Sequence, residues 1–282
     1  MSSTVPVQPG EFEPENHYYP RVPNARLHPL VKHFLGLSNE RIARRYVHLH
    51  PEVDADAVLA ALSHRPRYLR WAGADLFHAT TERGVRRNVV IEVNSSPSGQ
   101  KSMPLRNEED DQSGYRTLLE RTFLPMLARR ALPKGRLAVL YDKNHMEASG
   151  YAAVLADLTD EAVLLVQVPQ GGDDVRIDGE VLHVRDETGD WVPLRGAFRY
   201  VTQAPWTRIP PVTRTAVLNP VIACLAGGRN KLLAAKAYDL HNAELEPSGL
   251  AMRAPETIWD VTLGQVPMWV ERMGGFAVVK NP

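Results

Sequence analysis

A carboxylate and an amide stand two residues apart in the run Glu92-Val93-Asn94, directly before a Ser-Ser-Pro-Ser-Gly turn sequence. Side chains alternate along a strand, so Glu92 and Asn94 would project from the same face. Magnesium prefers such oxygen ligands and is usually shared with substrate phosphates. Asp75, on a predicted neighbouring strand, could supply a third oxygen. The alternative is a solvated Glu92 at the end of a strand that runs into a turn.

A lysine follows an apolar run near the other end of the sequence, where residues 276–279 lead into Lys280. A lysine that emerges from an apolar strand into a polar site could contact nucleotide phosphates as a mobile point charge. Lysines also end strands without such a role, so the residue type alone leaves both interpretations open.

Two glycines precede Asn230 and Lys231 at the predicted start of a helix. The N-terminus of a helix attracts anions, so these two residues could face nucleotide phosphate. The spacing matches neither the P-loop nor the dinucleotide-binding fingerprint. The alternative is an ordinary turn in which Asn230 or Gly228 lies near the helix cap.

The elements that must position these residues follow an α/β pattern. An apolar strand over 137–141, a helix over 149–158 and a second strand over 162–168 predict a βαβ unit, which implies parallel pairing. Strands over 67–80 and 89–93 would carry Asp75 and Glu92. Further strands are predicted in a small hairpin within 171–194 and over 197–200 and 276–279. Helices are predicted over 38–48, 54–62, 115–130 and 231–243, and within 257–273.

Together these parts resemble the circularly permuted branch of the ATP-grasp superfamily, which includes glutathionylspermidine synthase-like enzymes. Glu92-Val93-Asn94 with its Ser-Ser-Pro-Ser-Gly continuation resembles the magnesium motif of the family. The strand that ends at Lys280 resembles the first ATP-contacting strand, which precedes the metal motif in ordinary members and follows it here. A narrower likeness is to ATP-grasp peptide ligases. The resemblance covers roughly residues 65–282.

The resemblance implies an ATP-grasp-like fold with a pre-ATP-grasp βαβ, Rossmann-like portion and mixed sheets flanked by helices. Prolines recur through the first 30 residues, from Pro6 to Pro29, and predict an irregular leader over 1–36. The resemblance implies three further segments: a portion with the magnesium motif (37–132), a pre-ATP-grasp-like portion (133–226) and the start of a nucleotide lobe (227–282). The family continues into a glycine-rich flap, a second lysine strand and an adenine-binding hinge, whereas this sequence ends at Pro282. We therefore expect part of the ATP pocket to be missing.

The activity implied by the resemblance is ATP-dependent joining of a carboxylate to an amine through an acylphosphate. Its cofactors would be ATP and Mg²⁺, and its partners small-molecule or peptide carboxylate and amine substrates. The resemblance assigns magnesium to Asp75, Glu92 and Asn94, and ATP contacts to Lys280, Asn230 and Lys231.

Arg199 is the remaining candidate, because a guanidinium can bind a substrate carboxylate through two parallel hydrogen bonds. The alternative is an exposed arginine near the end of a strand.

Composition limits the other function classes. The 33 Lys and Arg residues balance 33 Asp and Glu residues, so net charge favours neither a nucleic-acid nor a membrane-surface partner. One cysteine, Cys224, permits no disulfide within the chain. No apolar run is long enough for a bilayer and no signal-peptide pattern is present, so we expect a cytoplasmic protein. Two further classes stay open: a nucleotide-binding protein without catalysis, and an α/β interaction domain.

Overall fold

The computed structural model describes residues 4–107, 109–128, 131–210, 213–224, 231–250 and 252–279. The chain forms two compact units. The first comprises Met1–Arg41, Arg65–Ala72 and Ser95–Ala223, and the second comprises Ile42–His64, Gly73–Asn94 and Cys224–Pro282. Each unit is therefore assembled from separated stretches, whereas the sequence analysis divided the chain into four consecutive segments.

Strands and helices alternate along much of the chain. The strands are β1 (Thr4–Val7), β2 (Gly73–Thr80), β3 (Arg86–Asn94), β4 (Arg136–Tyr141), β5 (Val163–Gln167), β6 (Val175–Asp178), β7 (Val181–Arg185), β8 (Trp191–Tyr200) and β9 (Ala216–Leu218). The helices are α1 (Pro14–His17), α2 (Pro29–Leu35), α3 (Asn39–Leu49), α4 (Ala55–Ser63), α5 (Ser113–Leu118), α6 (Leu124–Ala128), α7 (His145–Thr159), α8 (Val221–Ala223), α9 (Lys231–Leu245) and α10 (Val266–Arg272). None of the described helices is long and apolar enough to cross a membrane.

A mixed sheet of seven strands forms the centre of the first unit, in the order β1-β5-β4-β8-β7-β6, with β9 also paired to β8. The central strands β5, β4, β8 and β9 are parallel, whereas β1, β7 and β6 pair antiparallel with their neighbours. The chain therefore has the predicted α/β class, with a mixed sheet flanked by helices.

The predicted βαβ unit is confirmed, because β4 and β5 pair in parallel and α7 connects them. Both strands consist largely of buried apolar residues, as strands covered on both faces require. Gly150 of α7 admits the ring of Tyr115, since a Cβ at this glycine would lie 2.9 Å from Tyr115 Cε1. Tyr151 stacks on Phe198 of β8 with ring centroids 4.4 Å apart. Aromatic contacts therefore fix α7 on the sheet.

Two other sequence predictions in this unit are borne out with changed bounds. The helix expected over 115–130 begins at Ser113 and runs through α5, a π-helical segment over Leu119–Phe123 and α6. Residues 129 and 130 lie outside the described part of the chain. The hairpin expected within 171–194 is β6–β7, and the strand expected over 197–200 begins earlier, at Trp191.

The irregular leader expected over 1–36 is wrong at its start, where β1 pairs antiparallel with β5. Pro6 argued against a strand because it cannot donate to a ladder hydrogen bond. In the structure β1 lies at the edge of the sheet, a position that tolerates proline. The Thr4 hydroxyl also donates to the main-chain carbonyl of Arg185 at 2.6 Å. The beginning of the described chain is therefore part of the sheet.

The imidazole of His17 attaches α1 to α7, because Nδ1 lies 3.2 Å from both the Met146 carbonyl oxygen and the Ser149 hydroxyl. Burial lowers the pKa of His17 below its ordinary value of 6.5, against an opposing hydrogen bond to Met146. Folding therefore favours the neutral imidazole. We expect its contribution to stability to be complete above pH 6.5 and to be lost as the pH falls towards the lowered pKa of the folded state.

Denaturant unfolding of the protein and of the His17→Gln variant, followed from pH 7.5 to pH 5, measures this contribution. The free energy of unfolding should decrease with falling pH more steeply in the unchanged protein than in the variant. Equal slopes would contradict a neutral buried His17.

Asn219, which follows β9, joins three parts of the first unit. Its Oδ1 accepts hydrogen bonds from the main-chain amides of Arg70 and Trp71, at 2.7 and 3.2 Å. Its Nδ2 donates to the carbonyl oxygens of Trp71 and Ser95. The backbone of Asn219 is left-handed, with φ at 48°, a region in which asparagine is tolerated better than most residues. One buried side chain therefore holds the residues on either side of the β2–β3 hairpin.

The second unit has a small apolar core and a two-stranded sheet. Ala43, Val53 and Val58 are buried together near α3 and α4. Asp54 begins α4 as predicted, with Oδ1 accepting from the Asp56 amide at 2.8 Å. Strands β2 and β3 pair antiparallel, with a register shift between Asp75 and Leu76.

One strand prediction in this region holds over only part of its range, and a second is wrong. The strand expected over 67–80 begins only at Gly73, because residues 65–72 belong to the first unit and bind Asn219 there. Residues 276–279 form no strand, although their composition favours one. Phe276 and Val278 are 90% and 82% exposed, and no strand among the described residues pairs with this segment. Apolar composition without a neighbouring strand does not produce a strand.

Candidate metal and nucleotide site

The antiparallel register of β2 and β3 brings the predicted metal ligands together. Asp75 lies directly opposite Glu92, and Gly73 lies opposite Asn94. The Asn94 amide nitrogen donates to Glu92 Oε1 at 3.2 Å, which confirms that Glu92 and Asn94 share a face. Because the side-chain nitrogen of Asn94 makes this hydrogen bond, its side-chain oxygen, Oδ1, could act as a metal ligand.

Lys231, the first residue of α9, forms an ion pair with Glu92 Oε2. The two side chains are 29% and 25% exposed, so water screens the pair only in part. Tyr238 lies two turns further along α9, and both burial and the charge of Glu92 raise the pKa of its hydroxyl. Lys231, which the resemblance assigns to nucleotide phosphate, therefore contacts Glu92, which it assigns to magnesium.

The donor set fits a hard divalent cation. Two carboxylates and one amide oxygen are oxygen ligands of the kind that magnesium accepts, with its remaining positions taken by water or phosphate. The described residues contain no cluster of three His, Cys, Asp or Glu side chains suited to a metal. A metal site here would therefore need the side-chain oxygen of Asn94 as its third ligand. Because Lys231 pairs with Glu92 Oε2, it would have to move away before a cation could bind both carboxylate oxygens of Glu92.

The other two residues assigned to ATP, Asn230 and Lys280, lie outside the described residues. The site within the described chain therefore consists of Asp75, Glu92, Asn94 and Lys231.

Arg199 of β8 is buried in the first unit, with 1% of its surface exposed. Its guanidinium donates to the main-chain carbonyls of Val201 at 2.7 Å, Ser95 at 3.4 Å and Asn219. The alternative considered from the sequence, that Arg199 is an exposed arginine near the end of a strand, is therefore wrong. These contacts use the guanidinium to hold three chain segments, and they argue against its release to bind a substrate carboxylate.

Arg199→Met should lower the free energy of unfolding by about 3 kcal/mol, because three buried carbonyls lose a charged donor. Guanidinium chloride unfolding measures this change. Arg121→Met, at an exposed position, is the control and should change stability by less than about 0.5 kcal/mol. A variant of Arg199 with unchanged stability would contradict the structural role.

Glu147, to which the sequence assigned no role, is a completely buried carboxylate in the first turn of α7. Its Oε1 accepts from the main-chain amides of Gly99 and Gln100, each at 3.0 Å, and its Oε2 accepts from the Ser98 hydroxyl at 2.9 Å. Lys101 Nζ lies 3.4 Å from Oε2. One signal was available in the sequence, since Glu147 precedes a long apolar run in which a carboxylate would need partners.

Ser98 links this carboxylate to the N-cap residue of α7, Asn144. Its hydroxyl oxygen accepts from Lys101 Nζ at 2.9 Å and from Asn144 Nδ2 at 3.3 Å. The Tyr200 hydroxyl is buried nearby, and burial together with the charge of Glu147 raises its pKa. From the sequence, Ser98 and Lys101 could face phosphate or an acyl substrate, because they follow the metal motif. In the structure they belong to a hydrogen-bonded turn fixed on α7.

Comparisons with known protein families, with curated proteins and with solved structures find no match for this chain. Any functional conclusion depends on the residues of the site and on their resemblance to a known motif.

Proposed function

We propose that the protein is an ATP-dependent carboxylate–amine ligase that acts through an acylphosphate. The observation that carries the proposal is the grouping of Asp75, Glu92, Asn94 and Lys231 on β2, β3 and α9. Three oxygen donors next to a lysine suit a magnesium–triphosphate group. The resemblance of the Glu92-Val93-Asn94 segment to the ATP-grasp magnesium motif supports ligation over other uses of such a group.

Each residue of the site has a distinct part in this proposal. Asp75, Glu92 and Asn94 would hold magnesium, which would supply positive charge to offset the charge that develops during phosphoryl transfer. Lys231 neutralises Glu92 in the structure and would move to phosphate when a cation takes the carboxylate. Asn230 and Lys280 are proposed ATP contacts by resemblance alone. The buried contacts of Arg199 support a structural part for that residue.

The reaction needs no nucleophile from the protein. A substrate carboxylate oxygen attacks the γ-phosphorus and ADP departs; an amine nitrogen then attacks the acyl carbon, phosphate departs, and the amine loses a proton. Transfers of this type depend mainly on positioning and electrostatics. The side chains grouped around Glu92 suit that requirement.

Thermal unfolding with a non-hydrolysable ATP analogue, AMP-PNP, tests the nucleotide part of the proposal with and without magnesium. A ligand at 100 times its dissociation constant adds about 2.7 kcal/mol to stability. We expect a rise of several degrees that requires both magnesium and nucleotide. No rise at any concentration would contradict the proposal.

Hydroxylamine trapping tests the ligase part. The protein is incubated with ATP, magnesium, hydroxylamine and a panel of amino-acid and peptide carboxylates, and the hydroxamates are measured. A carboxylate-dependent hydroxamate formed together with ADP is expected. Magnesium-dependent nucleotide binding without hydroxamate from any carboxylate would favour a nucleotide-binding protein without catalysis.

A further inference from the structure

The parallel strands β4 and β8 end side by side in the first unit, with Tyr141 directly opposite Tyr200. After β4 the chain continues through α7 to β5, whereas after β8 it continues to β9, which lies on the opposite side. In open α/β sheets, small ligands bind in the crevice outside the carboxyl ends of the strands where the connections diverge in this way. A ligand site of the first unit is therefore expected at this end of the sheet.

The turn over residues 98–101 is fixed on α7 just beyond the end of β4. Glu147 accepts from the Ser98 hydroxyl at 2.9 Å and from two main-chain amides of the turn. Ser98 is nevertheless exposed, and its hydroxyl oxygen accepts from Lys101 Nζ at 2.9 Å and from Asn144 Nδ2 at 3.3 Å. A serine, a lysine and an asparagine are therefore held together at the carboxyl end of β4.

The hydroxyl of Tyr200 is buried beside this group, and it makes no hydrogen bond of ordinary geometry within the described chain. Burial and the charge of Glu147 raise its pKa, and Ser98 and Asn144 are near enough to oppose that rise. A buried hydroxyl without a partner costs stability, and such groups are rare in native proteins. An oxygen acceptor that enters next to Ser98 would supply the missing partner.

This group of side chains offers more hydrogen-bond donors than acceptors. The Lys101 ammonium group has three protons, and Ser98 and Glu147 are its two partners. The Asn144 amide nitrogen has a second proton, and the Tyr200 hydroxyl has its own. No residue in the described ranges accepts these three remaining protons. A carboxylate, with two oxygens and about four lone-pair sites, suits three such donors.

The local charge favours a carboxylate over other acceptors. Lys101 is balanced by Glu147, so the two together add no net charge. A doubly charged phosphate would be repelled by Glu147 more strongly than a singly charged carboxylate. The N-terminal end of α7, which begins at His145, carries a partial positive charge that favours a carboxylate over a neutral carbonyl group.

We propose that the carboxyl ends of β4 and β8 form a binding site for the carboxylate group of a small molecule, held by Lys101, Asn144 and Tyr200. Ser98 and Glu147 position Lys101 through their contacts with its ammonium group. The site belongs to the first unit, and it depends neither on magnesium nor on the ligase activity proposed above.

Fluorine NMR with trifluoroacetate, a singly charged carboxylate, tests the proposal in magnesium-free buffer at physiological ionic strength. Saturable line broadening is expected, with a dissociation constant of millimolar order, because the probe has few atoms. Monofluorophosphate, a doubly charged phosphate observed by the same method, should bind about fivefold more weakly or worse because of Glu147. No saturable binding of trifluoroacetate, or equal or tighter binding of monofluorophosphate, would overturn the proposal.

The variant Tyr200→Phe keeps the aromatic ring and removes the hydroxyl that lacks a partner. It should weaken trifluoroacetate binding about tenfold, as expected for the loss of a hydrogen bond to a charged group. Its thermal stability should be unchanged or slightly higher, because a buried unpaired hydroxyl is removed. A tyrosine with a purely structural role would change the stability without changing the affinity.

The variant Asn144→Gly removes the amide donor at a left-handed position, where φ is 58° and glycine is readily accommodated. It should also weaken trifluoroacetate binding about tenfold, because the same kind of hydrogen bond is lost. Circular dichroism verifies that each variant is folded.

The variant Tyr18→Phe is the matched control. The Tyr18 hydroxyl is also buried and without a partner in the described chain, but it lies near Asp110 and Asp111. Its removal should leave the affinity for trifluoroacetate unchanged. Equal weakening by this control would overturn the proposal, as would an unchanged affinity in Tyr200→Phe or, should that variant not fold, in Asn144→Gly.

Discussion

Glu92→Gln is expected to weaken magnesium-dependent binding of AMP-PNP by on the order of 100-fold, without unfolding the protein. The substitution keeps the size of the side chain but removes the charge that pairs with Lys231 and that would bind magnesium in the proposed function. Even residues that only support a metal ligand typically contribute 10–100-fold to affinity. Equilibrium binding of a fluorescent AMP-PNP derivative, at fixed magnesium concentration, measures the effect.

Two further variants make this result specific to the site. Glu244→Gln removes the same charge from an exposed position of α9 and should leave nucleotide binding unchanged. Lys231→Met should strengthen binding of magnesium alone, since the competing ammonium group is gone, and weaken binding of nucleotide. Wild-type affinity in Glu92→Gln would remove the main support for the proposed function.

Glu147→Ala should lower the free energy of unfolding by about 3–5 kcal/mol, the usual cost of removing one partner of a buried charged pair. The amides of Gly99 and Gln100 would lose their acceptor, and Lys101, whose side chain is 13% exposed, would lose its counter-charge. Urea unfolding followed by tyrosine and tryptophan fluorescence measures the change.

Glu120→Ala is the control, because Glu120 is 47% exposed and pairs with Arg116 within one helical stretch. Its cost should be below about 1 kcal/mol. A Glu147→Ala variant as stable as this control would contradict the buried network. Glu147→Gln should be destabilised less than the alanine variant, since its amide oxygen still accepts hydrogen bonds.

The parts of the structure that depend on local pattern were predictable. The strand β4, the helix α7 and the strand β5 follow from their apolar runs, and the shared face of Glu92 and Asn94 follows from strand alternation. The pairing of Asp75 with Glu92 was harder to predict from the sequence. It depends on a register that contains an irregularity beside Asp75, and residue patterns do not specify such a shift.

Contacts between residues distant in sequence account for most of what the sequence did not predict. The lysine that pairs with Glu92 is 139 residues away, and the serine that donates to Glu147 is 49 residues away. Arg199 was equally ambiguous, because an arginine at the end of a strand is compatible with exposure or with burial against carbonyls. The strand prediction over 276–279 was wrong because a long-range contact is missing. Its composition favours a strand, but no described strand pairs with it.

The hydrogen bonds of Asn219 make the β2–β3 hairpin a removable insertion. The chain leaves the first unit after Ala72 and returns at Ser95. The Asn219 amide group is hydrogen-bonded at both points, to Trp71 and to Ser95. A short Gly-Ser linker could bridge them with little loop-closure entropy. The first unit should tolerate deletion of residues 73–94, so its folding could be studied apart from the hairpin that carries Asp75, Glu92 and Asn94.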